Sequence, residues 1–327
     1  MNIISIDGGA SRTRGALFTD AGELLLYRET GASSLSRTGG DSPAILGQFI
    51  RELADGAALS LEDVASVNIG VAGVSNLNAR ERLFKELDRL GLSDRALITS
   101  DVEAAYESVW GAGPGVLVCV GTGAIGWARD GDGKSHRASG RGPELGGDPG
   151  SGYWMGKKAM VQLIMNEAAG DDNLDALRRK VMDNYGAKTF EEAAHSAGEG
   201  ADHVAAIGRL GKAVCDLADG GNELALAIIQ EGTQELGEEL LQMIDGAGLR
   251  SDDITLGIHG GLITGSGLFR RMLGNALSYD LPRITWRTPD IDPVFGAALI
   301  AARLNDLAID RDNLKNSWSV HHLRSAS

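Results

Sequence analysis

Two stretches constrain this chain more than any other feature: residues 3–13, IISIDGGASRT, and residues 116–128, VLVCVGTGAIGWA. In each, an apolar strand runs into a turn of Gly, Ser and Thr and then resumes as a strand. Such a turn offers backbone N–H groups and hydroxyls to a phosphate, with no side chain blocking close approach. Two of them, over a hundred residues apart, suggest two lobes gripping one polyphosphate. The pattern points to nucleotide-dependent phosphotransfer.

A chain of 327 residues exceeds one comfortable core, so two domains are expected. The net charge of −14 favours solubility and disfavours nucleic acid or anionic membranes as partners. Cys119 and Cys215 lack any paired spacing, which argues against a disulfide framework or a cysteine-held cluster and fits a reducing cytosol. The N-terminus has no basic segment or apolar signal core, and no apolar run nears the ~18 residues of a membrane helix. The expectation is a cytoplasmic protein.

Three strands at 2–7, 14–19 and 23–30 precede a helix from Asp41, a strand at 64–72, a helix at 79–90 and a strand at 96–99. This alternation predicts α/β layering with a largely parallel sheet. After the glycine-rich break at 111–115 the outline recurs, with strands at 116–121, 124–129 and 134–138. A glycine- and proline-rich stretch at 139–152 has neither helix nor strand pattern, and such stretches are more often functional than idle. Helices fill 153–247, and strand 254–259, helix 266–278, strand 283–286 and helix 293–304 follow. The expected architecture is a duplicated α/β fold with an interdomain cleft. Its lobes are 1–112 plus about 293–305, and 113–292, with a loosely held polar tail at 306–327.

Several residues can carry chemistry. Asp7 ends the first strand before Gly8 and Gly9, where a carboxylate can hold Mg²⁺ through water beside the nucleotide phosphates; the plain alternative is a turn-initiating Asp. In Gly121-Thr122-Gly123, Thr122 offers a hydroxyl to a phosphate. Asp101 follows a strand end, where ligands bind in open α/β sheets, and can take a proton from a substrate hydroxyl. Ser100-Asp101-Val102-Glu103 also reads as a capping box. Asp148 can accept hydrogen bonds from a polyol, and Arg141 can contact substrate or tie the loop to Glu144. His259 reads as a strand-end histidine ahead of Gly260 and Gly261. Asp292-Pro293 starts the last helix, and Gly296-Ala297-Ala298 makes one face of it thin.

These motifs, in this order, resemble the sugar kinases of the actin/hexokinase/Hsp70 ATPase superfamily. The nearest likeness is the N-acetylglucosamine and glucosamine kinase branch, which also includes ATPase activators of acyl-CoA dehydratases and reductases. It covers about residues 1–304 through IDGGASRT, IGVAGVSN, VGTGAIG, GPELGGDPGSGYWMG, ITLGIHGGL and DPVFGAALIAA. The resemblance implies two ribonuclease-H-like, actin-like ATPase domains. It implies Asp101 as general base, Asp7, Gly8, Gly9, Ser11 and Thr13 at the phosphates and Mg²⁺, and Gly121, Thr122 and Gly123 facing them. Gly260 and Gly261 lie under the adenosine in that scheme. The sugar meets Ser34, Asp101, Gly123, Gly140, Arg141, Gly142, Asp148 and Gly152. Departures fall at Ser34, Ile125, Arg141 and Pro149, positions that touch contacts reading the amine or acetamide.

The implied activity is transfer of the γ-phosphoryl of MgATP to the 6-hydroxyl of N-acetylglucosamine or glucosamine, by a homodimer. The alternative is an ATPase driving a partner enzyme. Such activators hold an iron–sulfur cluster with cysteines from each subunit, a task for which neither Cys119 nor Cys215 is well placed.

Overall fold

A computed structural model describes residues 1–10, 12–36, 41–142, 148–166, 171–198, 203–307 and 309–325. The chain forms two compact units, Met1–Ala112 with Pro289–Ser327, and Gly113–Thr288.

The first unit contains β1 (Asn2–Gly8), β2 (Thr13–Thr19), β3 (Leu24–Thr30), α1 (Ser42–Gly56), β4 (Val64–Val71), α2 (Leu77–Arg89), β5 (Ala96–Thr99) and α3 (Asp101–Trp110). The second contains β6 (Gly115–Val120), β7 (Ala124–Arg129), β8 (Ser135–Ser139), α4 (Gly152–Met165), α5 (Asp172–Tyr185), α6 (Phe190–Gly198), α7 (His203–Asp219), α8 (Glu223–Gly246), β9 (Asp253–His259), α9 (Gly261–Gly265), α10 (Gly267–Leu277) and β10 (Arg283–Arg287). The chain then returns to the first unit as α11 (Pro293–Leu304) and α12 (Arg311–Ser325).

The two sheets share one topology. Their orders are β3-β2-β1-β4-β5 and β8-β7-β6-β9-β10, so each unit places its first strand centrally, its hairpin to one side and its crossover strands to the other. The likeness sought in the sequence therefore survives as topology. Neither sheet is largely parallel. Tight turns force the first three strands of each unit to pair antiparallel, and only the strands reached through helices pair parallel.

In the first unit Ile4 and Ile6 point into a core shared with Leu46, Phe49 and Leu53 of α1 and Leu83 and Leu87 of α2. Ile3 points to the other face, onto Ala301 and Ala302 of α11. Strand alternation thus buries β1 on both sides. Gly296 lets α11 lie on α3 backbone to backbone: a Cβ there would fall on the carbonyl oxygen of Ala104 and 2.9 Å from the amide of Ser108. In the second unit Val116, Val118 and Val120 of β6 pack with Met155 of α4, Val214 of α7 and Leu240 of α8.

Among the described residues after Asn305, α12 is anchored where the sequence predicts a loose polar tail. Leu314 of α12 is fully buried, and the Trp318 ring packs edge-on against Phe295 and Tyr27, both at 5.0 Å between centroids. The two anchors are four residues apart, one turn of a helix, within otherwise polar sequence that hides the stripe. Leu314→Ala is expected to cost about 3 kcal/mol in a urea unfolding series. A loss below about 1 kcal/mol would show that this helix contributes little to the core.

Candidate active site

In the first unit the chemistry gathers at the end of β1. Asp7 stands opposite Arg14 in the β1–β2 register. Arg14 Nη1 donates to Asp7 Oδ2 at 3.3 Å and to Asp292 Oδ1 at 3.1 Å. Asp292 is the N-cap of α11, and the same Oδ1 accepts the Val294 amide at 3.2 Å. Burial pushes the Asp7 carboxyl up to about 7; the Arg14 guanidinium opposes this, while the charges of Asp101 and Asp292 add to it. Asp101 therefore lies close enough to act on Asp7 electrostatically.

Asp101 opens α3 immediately after β5. Ser100 accepts the Glu103 amide at 3.2 Å, and Glu103 Oε2 accepts the Ser100 amide at 2.8 Å. The capping reading of S-D-V-E is thus realised in the backbone. This cap fixes the residue between, and Asp101 Oδ1 accepts the Val102 amide at 3.0 Å. Burial pushes the Asp101 carboxyl up to about 6, against the pull of the Val102 and Asp101 amides. A carboxylate so placed is a stronger base than an exposed one.

Other residues expected at the phosphates turn inward. Thr13 is fully buried, and its hydroxyl lies 2.7 Å from the Gly31 carbonyl and 2.6 Å from Ser33 Oγ. It braces the loop after β3. The Gly9 amide closes the turn onto the Arg12 carbonyl at 2.9 Å, and a Cβ at Gly8 would lie 2.7 Å from Ser33 Oγ. Ser34, expected at the sugar, is 5% exposed; its hydroxyl donates to the Ala72 carbonyl and accepts the Ser36 amide, both at 3.3 Å. Ser11 lies outside the described residues.

In the second unit the Gly121–Gly123 turn is held by its carbonyls. Gly152 and Tyr153, the first residues of α4, donate their amides to Gly121 and Thr122 at 2.8 and 3.0 Å. No partner is found among the described residues for the amides of Thr122 and Gly123. Asp148 sits 7% exposed beside this turn, with a left-handed φ of 69°. Its Oδ1 accepts the Gly142 amide at 3.2 Å, and a Cβ on Gly123 would lie 2.9 Å from its Oδ2. Burial raises the Asp148 carboxyl, while the amides of Gly142 and Ala124 oppose the rise. Asp148 thus links the turn to the end of β8, near Gly140.

Arg141 is exposed and pairs with Glu239 of α8 at 3.0 Å. The partner weighed in the sequence, Glu144, lies outside the described residues. Gly152 has a packing reason: a Cβ would lie 2.5 Å from the Gly208 carbonyl of α7. Gly260 adopts φ 98°, and a Cβ there would lie 2.5 Å from the Val120 carbonyl, so only glycine fits between β9 and β6. Gly261 opens α9 with open space beside it, and His259 pairs with Cys119 across the ladder. A cavity of about 530 Å³ between α10 and β10, lined by Leu268, Arg271, Ile284 and Trp286, gathers none of these residues.

A family model for the BadF/BadG/BcrA/BcrD ATPases matches residues 4–301. The chain belongs to that family. Within it, ATP is the nucleotide used. An N-acetylmuramic acid/N-acetylglucosamine kinase of Clostridium acetobutylicum is 25% identical over 301 residues, covering 91% of this chain and 97% of the relative. An N-acetyl-D-glucosamine kinase of Dictyostelium discoideum is 24% identical, with the same coverage of each. The fold matches a ROK family glucokinase of Streptomyces griseus, solved with glucose and AMPPNP, with TM-score 0.55 and 16% identity over 93% of this chain and 99% of that one. This likeness is one of fold, an α/β chain of two units each built on a five-stranded sheet.

The donor set of this ATPase suits magnesium. Asp7, Asp101 and Asp292 are hard oxygen donors, the charges of Asp101 and Asp292 bear on Asp7, and Arg14 is bonded to Asp7 and Asp292. Among the described residues no three His, Cys, Asp or Glu side chains form a metal cage. Carboxylate oxygens of this kind suit an ion that keeps most of its waters and takes one or two carboxylates. Among the described residues, no helix is long and apolar enough to cross a membrane.

Proposed function

We propose that this ATPase-family member is an amino-sugar kinase, transferring the γ-phosphoryl of MgATP to the 6-hydroxyl of N-acetylglucosamine or glucosamine. The observation that carries the reading is Asp101: a desolvated carboxylate, fixed by a helix cap at a strand end, in electrostatic contact with Asp7. The names of the curated relatives support the amino sugar as acceptor.

In this reading Asp101 accepts the proton of the sugar hydroxyl as its oxygen attacks the γ-phosphorus and the bond to the bridging oxygen breaks, releasing ADP. Asp7 holds the water shell of magnesium, which when bound neutralises charge on the phosphates. The open amides of Thr122 and Gly123 donate to phosphate oxygens, and Gly261 lies beside the adenosine. Asp148 and the backbone of Gly140 and Gly142 bind sugar hydroxyls, with the Arg141–Glu239 pair at their margin. Thr13 and Ser34 brace the loop after β3, and Gly152 seats α4 closely against α7.

The Asp101 base works only when ionised. Its carboxyl is pushed up to about 6 and that of Asp7 to about 7, so kcat/KM is expected to fall as pH drops below about 7 and to be level above about 8. A profile of sugar-dependent turnover from pH 4.5 to 8.5 checks this; an acid limb near 4 would point to an exposed, unperturbed carboxylate. The position of transfer is tested by ¹H–³¹P correlation NMR of the product. Coupling of phosphorus to the C6 methylene protons is the expected result, and coupling to the anomeric proton would refute the 6-hydroxyl assignment.

A further inference from the structure

We infer that Arg14 is a positioning residue for the phosphate-side carboxylate: by sharing one nitrogen between Asp7 and the cap of α11, it fixes how Asp7 meets a magnesium-bound nucleotide. The inference rests on the kinase reading above and adds two residues, Arg14 and Asp292, to its machinery.

The geometry leaves the guanidinium one orientation. Nη1 is divided between Asp7 of β1 and Asp292 ahead of α11. Nε lies 3.9 Å from Glu29 of β3, and Glu29 is itself held by the Tyr27 hydroxyl at 2.6 Å. Three elements thus anchor one side chain that is 14% exposed, while Arg12, the other cation acting on Asp7, is exposed. Among the described residues only Oδ2 of Asp7 is engaged, which leaves Oδ1 for a water of the ion's shell. The guanidinium plane fixes the two N–H bonds of Nη1 and the Nε–H at set angles, whereas a lysine ammonium is a freely turning point charge. Groups that orient a metal's ligands typically carry about 10–100-fold in affinity or activity.

The test is calorimetric titration of the full chain with ADP, once in excess Mg²⁺ and once in EDTA. The wild type is expected to bind more tightly with Mg²⁺. Arg14→Gln should reduce that magnesium-dependent gain by about 10–100-fold while leaving ADP affinity in EDTA within about threefold. Arg14→Lys should recover only part of the gain. An Arg14→Gln protein with the full gain, or one weakened equally in EDTA, would overturn the assignment. If Arg14→Gln does not melt cooperatively, Arg14→Lys decides, and a full gain there overturns it equally. A wild type with no magnesium-dependent gain would instead strike the kinase reading itself.

Discussion

Asp101→Asn is expected to lower kcat by roughly 10²–10⁴-fold, the range carried by a positioned general base, with MgATP binding little changed. The amide matches the carboxylate in shape but cannot take the hydroxyl proton. The cap should survive, because it is made by Ser100 and Glu103 on either side. Stability gives an independent sign. The Asp101 carboxyl is raised from 3.8 to about 6 in the fold, so the folded state loses stability as pH rises through that window and the group ionises in its desolvated position. Asparagine carries no such penalty. The variant should therefore melt no lower than wild type at pH 8, and the difference between them should vanish below about pH 4. Wild-type turnover in a properly folded Asp101→Asn protein would remove Asp101 from the chemistry.

Gly296→Val should be the most damaging substitution away from the reacting groups. A Cβ at this position falls on the Ala104 carbonyl and within 3.0 Å of its carbon, both backbone atoms of α3 that cannot swing aside. Relief requires the two helices to separate, and α11 also covers Ile3 of β1. The expected loss is about 3 kcal/mol or more, at the upper end for overpacked cores. Turnover should fall as well, because α3 carries Asp101 at its first turn. Gly296→Ala places the same Cβ without the branch and should fall between wild type and Val. Urea midpoints check the series, and a Gly296→Val midpoint equal to wild type would mean the helices do not cross as described.

Much of this was readable in the residues because local chemistry and tertiary placement agree. The strand–glycine–strand turns, the S-D-V-E cap and the thin start of α11 are each written in consecutive residues. What lay hidden depends on register or on distant elements. Arg14 meets Asp7 only because the hairpin sets residue 7 opposite residue 14, and Asp292 joins them from a helix 278 residues away from Arg14 in the chain. The register alone would have flagged Arg14. Nothing local marks Asp292 as more than a cap, nor Glu239 as the partner of Arg141. Thr13 and Ser34 are expected at ligands only through the family resemblance; in the fold, loop carbonyls take up their hydroxyls. Gly152 reads as sugar-loop glycine, yet its neighbour is the backbone of α7.

The most direct measurement is coupled detection of ADP release from MgATP against glucosamine, N-acetylglucosamine, N-acetylmuramic acid, N-acetylmannosamine and glucose. An amino-sugar kinase should show strong stimulation by one amino sugar and near-background release with glucose. Slow ADP release that ignores every sugar would contradict the account and favour an ATPase that drives a partner enzyme.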